Sequence, residues 1–284
     1  MHRRPAPYPW YTTECGGDGR RDLDRPCHRT VGLGRRGRGR TGPGQWRARG
    51  PDGLSSSTHR LKPSRAGVSA LLEVIPVLIA HWTFDVDTVD GRTVADATGA
   101  GPAAELDETA GIVPGREGEA LSLSGRDRAV IPAVPQLVLS QVFGFSLAFF
   151  VQVTEAPTGE WRSLVYKPVA EDDARGLGLW LYPDAMRLRV QLFTVKGPDY
   201  VDSHIRLSLG EWTHVAFVVN TQGMFLYVNG VLDGAAPLEH PVVTPSGPIY
   251  LGSELTKPGF GGLMDDFRVY SSALNEDAVR ALAE

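Results

Sequence analysis

From residue 77 onward, apolar residues recur at every second position in short runs bounded by Gly, Pro, Asn and Asp. Such alternation marks strands, because successive side chains leave a strand on opposite sides. The clearest run is 211–230. Trp212, His214, Ala216 and Val218 fall on one side, and Thr213, Val215, Phe217 and Val219 on the other. After Asn220-Thr221-Gln222-Gly223, the residues Met224, Leu226 and Val228 share a side, opposite Phe225, Tyr227 and Asn229. Asn229-Gly230 tolerates the positive φ values of a two-residue type I′ turn, which returns the chain as a third strand at Val231-Leu232. Both sides of this meander are largely apolar, as expected for strands inside a packed sandwich.

The same reading places strands at 77–84, 119–124, 129–131, 143–153, 161–166, 177–182, 187–195, 200–207, 248–252 and 262–270. Short strands at close intervals, with turn residues between them, predict an all-β antiparallel sandwich. Asn275 is a fitting N-cap for a short C-terminal helix, with Glu276 and Asp277 in its first turn.

These segments also carry a resemblance. Trp212-Thr213-His214-Val215-Ala216, Leu226-Tyr227-Val228-Asn229-Gly230, Ile249-Tyr250-Leu251-Gly252 and Phe260-Gly261-Gly262-Leu263-Met264-Asp265-Asp266-Phe267-Arg268-Val269-Tyr270 follow one another in that order. Upstream come His81-Trp82-Thr83-Phe84-Asp85, Asp96-Ala97-Thr98-Gly99 and Gly118-Glu119-Ala120-Leu121-Ser122-Leu123. The series resembles the laminin-G-like jelly-roll domains of the concanavalin A-like lectin/glucanase superfamily. The resemblance covers roughly 77–284 and implies a two-sheet jelly-roll sandwich. It says less about function, because that fold hosts lectins, enzymes and adhesion modules.

Composition divides the chain near residue 75. Residues 1–75 carry 15 Lys+Arg against 6 Asp+Glu, whereas residues 76–284 carry 14 against 27, a net of −13. The acidic part has no electrostatic reason to hold nucleic acid or anionic lipid. The basic part is rich in Arg, Gly and Pro and lacks periodicity, so it is expected to be disordered. Gly32-Leu33-Gly34-Arg35-Arg36-Gly37 matches a dinucleotide fingerprint but lacks the strand and helix that motif needs. Arg35–Arg40 is compositionally like a nucleic-acid-binding tract, and Cys15, Cys27 and His28 make an incomplete metal set. A blander reading is an over-extended start, with Val68 as the initiator. Peptides from before residue 60 in the native protein would contradict it. No apolar run reaches the ~18–20 residues of a membrane span. No signal peptide is recognisable, so the chain as encoded is expected in the cytoplasm unless another route releases it.

Three chemistries are open to such a chain: catalysis, metal binding and ligand binding. A glucanase would carry E-x-D-x-x-E along one strand, and no such motif occurs. Glu171-Asp172-Asp173 is consecutive, so its side chains cannot share a strand side, and His214 reads as structural. The resemblance implies one structural Ca²⁺ held by Asp96 and by Asp265 or Asp266, its shell completed by backbone carbonyls near Gly99 and by Asp85. The alternative is turn chemistry for Asp96 and a buried hydrogen-bonding carboxylate for Asp265; Ala97 and Ala100 stand where relatives commonly show Ser and Asn. Lastly, Trp180, Tyr182, Arg187, Arg189 and Gln191 fall outward on two neighbouring runs. There they could stack on sugar rings and meet hydroxyls, or instead form a solvated outer surface. The expected function is non-catalytic recognition of carbohydrate or of a protein surface, with a structural self-assembly module as the alternative and a glycoside hydrolase behind both.

Overall fold

The structure is a computed structural model describing residues 77–170 and 175–284. The basic leader, with its cysteines and glycine motif, and Glu171-Asp172-Asp173 lie outside the described residues. β1 (Leu78–Trp82), β2 (Val89–Asp90), β3 (Thr93–Val94), β4 (Ala104–Leu106) and β5 (Gly111–Pro114) come first. β6 (Glu119–Ser124) and β7 (Arg128–Ile131) lead to β8 (Phe145–Val153), β9 (Arg162–Pro168), β10 (Gly176–Leu181) and β11 (Leu188–Thr194). β12 (Gly197–Asp202), β13 (Trp212–Val219), β14 (Gly223–Val228), β15 (Val231–Pro237), β16 (Ile249–Gly252) and β17 (Gly261–Tyr270) precede the helix α1 (Glu276–Ala283).

The strands form two antiparallel sheets. The first runs β15-β14-β13-β8-β17-β6-β5, with β1 beside the last residues of β17. The second runs β12-β11-β10-β9-β16-β7-β4-β3-β2. Their inner faces meet in one core. Val215, Phe217, Val219, Met224 and Leu226 come from the first sheet, and Leu177, Leu179, Leu181, Leu188, Val190 and Leu192 from the second. Along one edge the sheets nearly touch: a Cβ on Gly234 would stand 2.6 Å from the Asp202 carbonyl oxygen, so only glycine fits there.

The meander closes as its sequence requires. Asn229 and Gly230 adopt φ of 49° and 76°, and Val228 pairs with Val231. Its second apolar side has a different cause from the one expected. It faces α1, not another sheet: Ala148, Ala216, Val218, Tyr227 and Tyr270 form a second buried cluster with Leu274 and Val279. Asn275 caps α1 through its side chain, which accepts from the Ala278 amide at 2.8 Å.

One strand is displaced from its expected place. The run 200–207 is strand only to Asp202, and its hairpin partner residues begin at Gly197. Ser203 ends the ladder, its hydroxyl accepting from the Leu188 amide and donating to the Ile205 carbonyl, both at 2.9 Å. Beyond it the His204 and Ile205 amides turn to the Asp233 carboxylate. Among the described residues no helix is long and apolar enough to cross a membrane.

Candidate ligand-binding face

On the second sheet the inward leucines force their neighbours outward. Trp180 lies opposite Arg189, and Gly178 opposite Gln191. β12 then sets Tyr200 beside Gln191 and Asp202 beside Arg189. The structure therefore brings Trp180, Tyr182, Arg187, Arg189 and Gln191 to one face, and adds Tyr200, Asp202 and Trp161.

Arg189 is the centre of this group. Its Nε donates to Asp202 Oδ1 at 2.7 Å, and its Nη2 to Asp202 Oδ2 and the Tyr182 hydroxyl, both at 2.8 Å. The guanidinium lies 4.0 Å from the Tyr200 ring centre, 5.2 Å from Tyr182 and 5.5 Å from Trp161. Trp161 and Tyr182 pack with ring centres 4.6 Å apart. Arg187 donates to the Ser203 carbonyl at 2.8 Å, and its guanidinium lies 5.0 Å from the Tyr182 ring centre. Burial pushes the Asp202 carboxyl up, but the hydrogen bonds from Arg189 and Tyr182 outweigh it and hold the group below the usual range. These contacts fix a ladder of alternating rings and guanidinium planes.

Trp180 is placed differently. It is only 6% exposed and packs with Tyr166 and Tyr250. Its ring lies over Gly178, where a Cβ would come within 1.9 Å of Cζ2. Its Nε1 donates to Glu254 Oε1 at 2.9 Å, and Lys257 Nζ sits 4.6 Å from the ring centre. The accessible aromatic surface is therefore Tyr200, 52% exposed, with half-buried Trp161 and Tyr182 beside it. Tyr200 and Asp202 fall inside the strand expected at 200–207, but nothing in the sequence set that strand beside β11; their alternation with Val201 was the available signal. Glu254 and Lys257 lie in a loop and gave none. Beyond Tyr250 the face continues into an open groove of about 460 Å³ lined by Val130, Pro132, Val169, Ser246 and Pro248.

The four carboxylates considered for a cation are otherwise engaged. Asp96 accepts from the His81 amide at 2.6 Å, the Gly101 amide at 2.7 Å, the Ala100 amide at 3.0 Å and the Thr98 hydroxyl. Burial raises its pKa, but these donors outweigh burial and keep it below the ordinary value. Asp85 accepts from the Glu119 amide at 3.1 Å. Asp266 is held by His81 Nε2 at 2.6 Å and Arg268 at 3.0 Å. Asp265 accepts from the Arg116 and Glu117 amides, while burial pushes its pKa up to about 6. Among the described residues no three His, Cys, Asp or Glu side chains gather as a metal shell. The oxygens meet N–H and O–H donors, and the residues present do not fit a shared Ca²⁺.

His214 lies under the α1 side of the first sheet, against Phe150 at 5.0 Å between ring centres. Among the described residues neither ring nitrogen has a hydrogen-bond partner. Burial, reinforced by Arg268 and Arg116 and opposed by Asp266, lowers its pKa to about 4. The ring is a neutral packing element at neutral pH.

No curated protein sequence matches the chain. Domain 4 of AbnA, an extracellular arabinanase from Geobacillus stearothermophilus solved with arabinotriose, superposes with a TM-score of 0.58 at 24% identity, covering 74% of this chain and 99% of that one. The botulinum neurotoxin serotype G binding domain gives 0.61 at 14% identity, covering 72% and 50%. The serotype D ligand-binding domain, solved with N-acetylneuraminic acid, gives 0.58 at 15%, covering 72% and 50%. The chain thus spans about half the length of those toxin domains, and the likeness is one of fold. A family model described as concanavalin A-like lectin/glucanases superfamily matches residues 124–280. With more than half of its length so matched and two antiparallel sheets to match it, the chain belongs to the concanavalin A-like lectin/glucanase superfamily.

Proposed function

We propose that the sandwich is a non-catalytic carbohydrate-binding module whose ligand lies along the outer face of the second sheet. The observation that carries this reading is the ladder of Tyr200, Arg189, Tyr182 and Trp161, held rigid by Asp202 before any ligand arrives. Sugar C–H faces stack on such rings while guanidinium and amide groups meet hydroxyls, and groups fixed in advance lose little entropy on binding. Arabinotriose in the AbnA domain and N-acetylneuraminic acid in the toxin domain support a carbohydrate over a protein partner. Asp202 and Glu254, the carboxylates that meet Arg189 and Trp180, each pair with a cation, which leaves neither as a free acid or base.

The test is titration calorimetry of residues 76–284 against neutral and charged oligosaccharides, with Tyr200→Ala beside the wild type. Binding that falls at least tenfold in the variant, with melting unchanged, supports the assignment. Equal affinity in both would move the ligand elsewhere, and release of reducing sugar would overturn the non-catalytic part.

A further inference from the structure

The loop between β16 and β17 crosses the outer face above Trp180. Both of its ends are fastened: Ser253 donates to the Asp127 carbonyl at 3.0 Å, and Gly259 to the Gly125 carbonyl at 2.9 Å. Between them Glu254 N donates to the Lys257 carbonyl at 3.1 Å, a tight turn with Leu255 47% exposed at its tip. The turn points two side chains back at the sheet. Glu254, its side chain 1% exposed, accepts from Trp180 Nε1 at 2.9 Å and from Lys257 Nζ at 3.1 Å. Lys257 Nζ stands 4.6 Å from the Trp180 ring centre.

A cation over an indole face, with a buried carboxylate beside it and Tyr166 and Tyr250 packed against the indole, is the arrangement that recognises ammonium groups. We infer that Trp180, Glu254 and Lys257 form an ammonium subsite which the protein fills with its own lysine, and that the external ligand displacing Lys257 is the protonated amine of an amino sugar. The inference rests on the carbohydrate reading above and names the sugar class.

Three features support displacement over a purely structural pair. Lys257 is 32% exposed along its side chain, so it can swing to water, whereas Glu254 cannot. The buried carboxylate demands a cation whenever lysine leaves, because an unpaired buried charge is costly. The indole is pinned over Gly178 and to Glu254, so the site keeps its shape when the lysine goes. Long-range charge agrees: residues 76–284 carry 14 Lys+Arg against 27 Asp+Glu, which draws a polycationic glycan and repels an acidic one.

The experiment compares wild type, Lys257→Ala and Lys257→Ala/Glu254→Gln by calorimetry at mildly acidic pH. The probes are glucosamine oligomers, their N-acetylated counterparts and a trilysine peptide. Removing the internal competitor should tighten glucosamine-oligomer binding about tenfold in Lys257→Ala and leave the N-acetylated oligomer unchanged. The added Glu254→Gln should erase that gain, with melting curves reporting that each variant is folded. An equal gain for both oligomers, or no gain, overturns the inference while the carbohydrate reading stands on whatever oligosaccharide still binds through Tyr200. Tighter binding of the peptide but not of the amino sugar overturns the assignment of ligand class. Binding of no oligosaccharide by any of the three proteins takes the carbohydrate reading down with it.

Discussion

On the outer face of the first sheet, Ala148 and Ala216 leave a shallow bed into which α1 lowers Val279, with Tyr227, Tyr270 and Leu274 closing round it. On the second sheet the outward positions carry Trp180, Arg189 and Tyr200, and among the described residues no α-helix covers them. Both faces come from the same two-residue alternation, and what stands at their centres separates them, Ala148 and Ala216 on one and Trp180 and Arg189 on the other. Small outward residues bury little by themselves and gain by accepting a helix. Large amphipathic ones cover the sheet with their own rings and methylenes and keep polar ends toward water. One face has become interior. The other has remained a surface of rigid, hydrogen-bonded groups, which is what a ligand meets.

The largest effect should follow from breaking the covered face. Val279→Asp places a carboxylate where Val279 is fully buried, and should cost about 3 kcal/mol or more, read as a fall in the urea midpoint. A change under about 1 kcal/mol would mean that α1 is not held by this cluster.

A pH series sharpens the contrast, because the buried His214 belongs to the first sheet. Its folded pKa of about 4 lies below the ordinary histidine value of 6.5, so as pH falls the unfolded chain takes up the proton first. Stability is therefore lost between about pH 6.5 and about pH 4, by up to roughly 3 kcal/mol. His214→Leu should lack that loss and match the wild-type pH slope above pH 7. Asp265 acts oppositely: with its folded pKa raised to about 6, its contribution is present below the ordinary carboxylate range and lost as pH rises through 6. Asp265→Asn should abolish that loss on raising the pH and leave the His214 loss on lowering it in place. Identical acid unfolding of wild type and His214→Leu would remove His214 from the account.

On the open face, Gly178→Ala should cost about 1–3 kcal/mol, since the new methyl meets the Trp180 ring. Trp180 fluorescence should shift to the red as the ring is unseated, and an unshifted spectrum would contradict its placement. Asp202→Asn should change stability by less than about 1 kcal/mol, because the Arg189–Asp202 pair is about a quarter exposed. Its effect should instead appear as weaker oligosaccharide binding, through a loosened Arg189. Smallest of all, Ca²⁺ or a chelator should leave the melting temperature unmoved, given how Asp85, Asp96 and Asp266 are occupied. A rise of several degrees with Ca²⁺ would show those donors exchanging for a cation.

Much of the architecture was legible because it is written in local terms. Alternation located β8, β10, β13 and β14, Asn229-Gly230 set the hairpin register, and Asn275 with two acidic neighbours announced α1. The short strands β2 to β5 were not legible, because two to four residues are too few for a period to show. The site was legible by face and illegible by exposure. Alternation put Trp180 outward, but outward and accessible are different properties. Whether an outward ring meets water depends on what arrives from elsewhere in the chain, here Glu254 from 74 residues away.

By itself, then, the sequence determined which residues alternate, where the chain turns and which side of each strand seeks burial, since these depend on neighbours along the backbone. Only the tertiary structure decided which outward face a helix would cover, that Asp96 and Asp266 would spend their oxygens on local donors, and that Lys257 would settle over an indole. Those outcomes depend on which distant groups reach a given oxygen or ring, and spacing along the chain does not encode that.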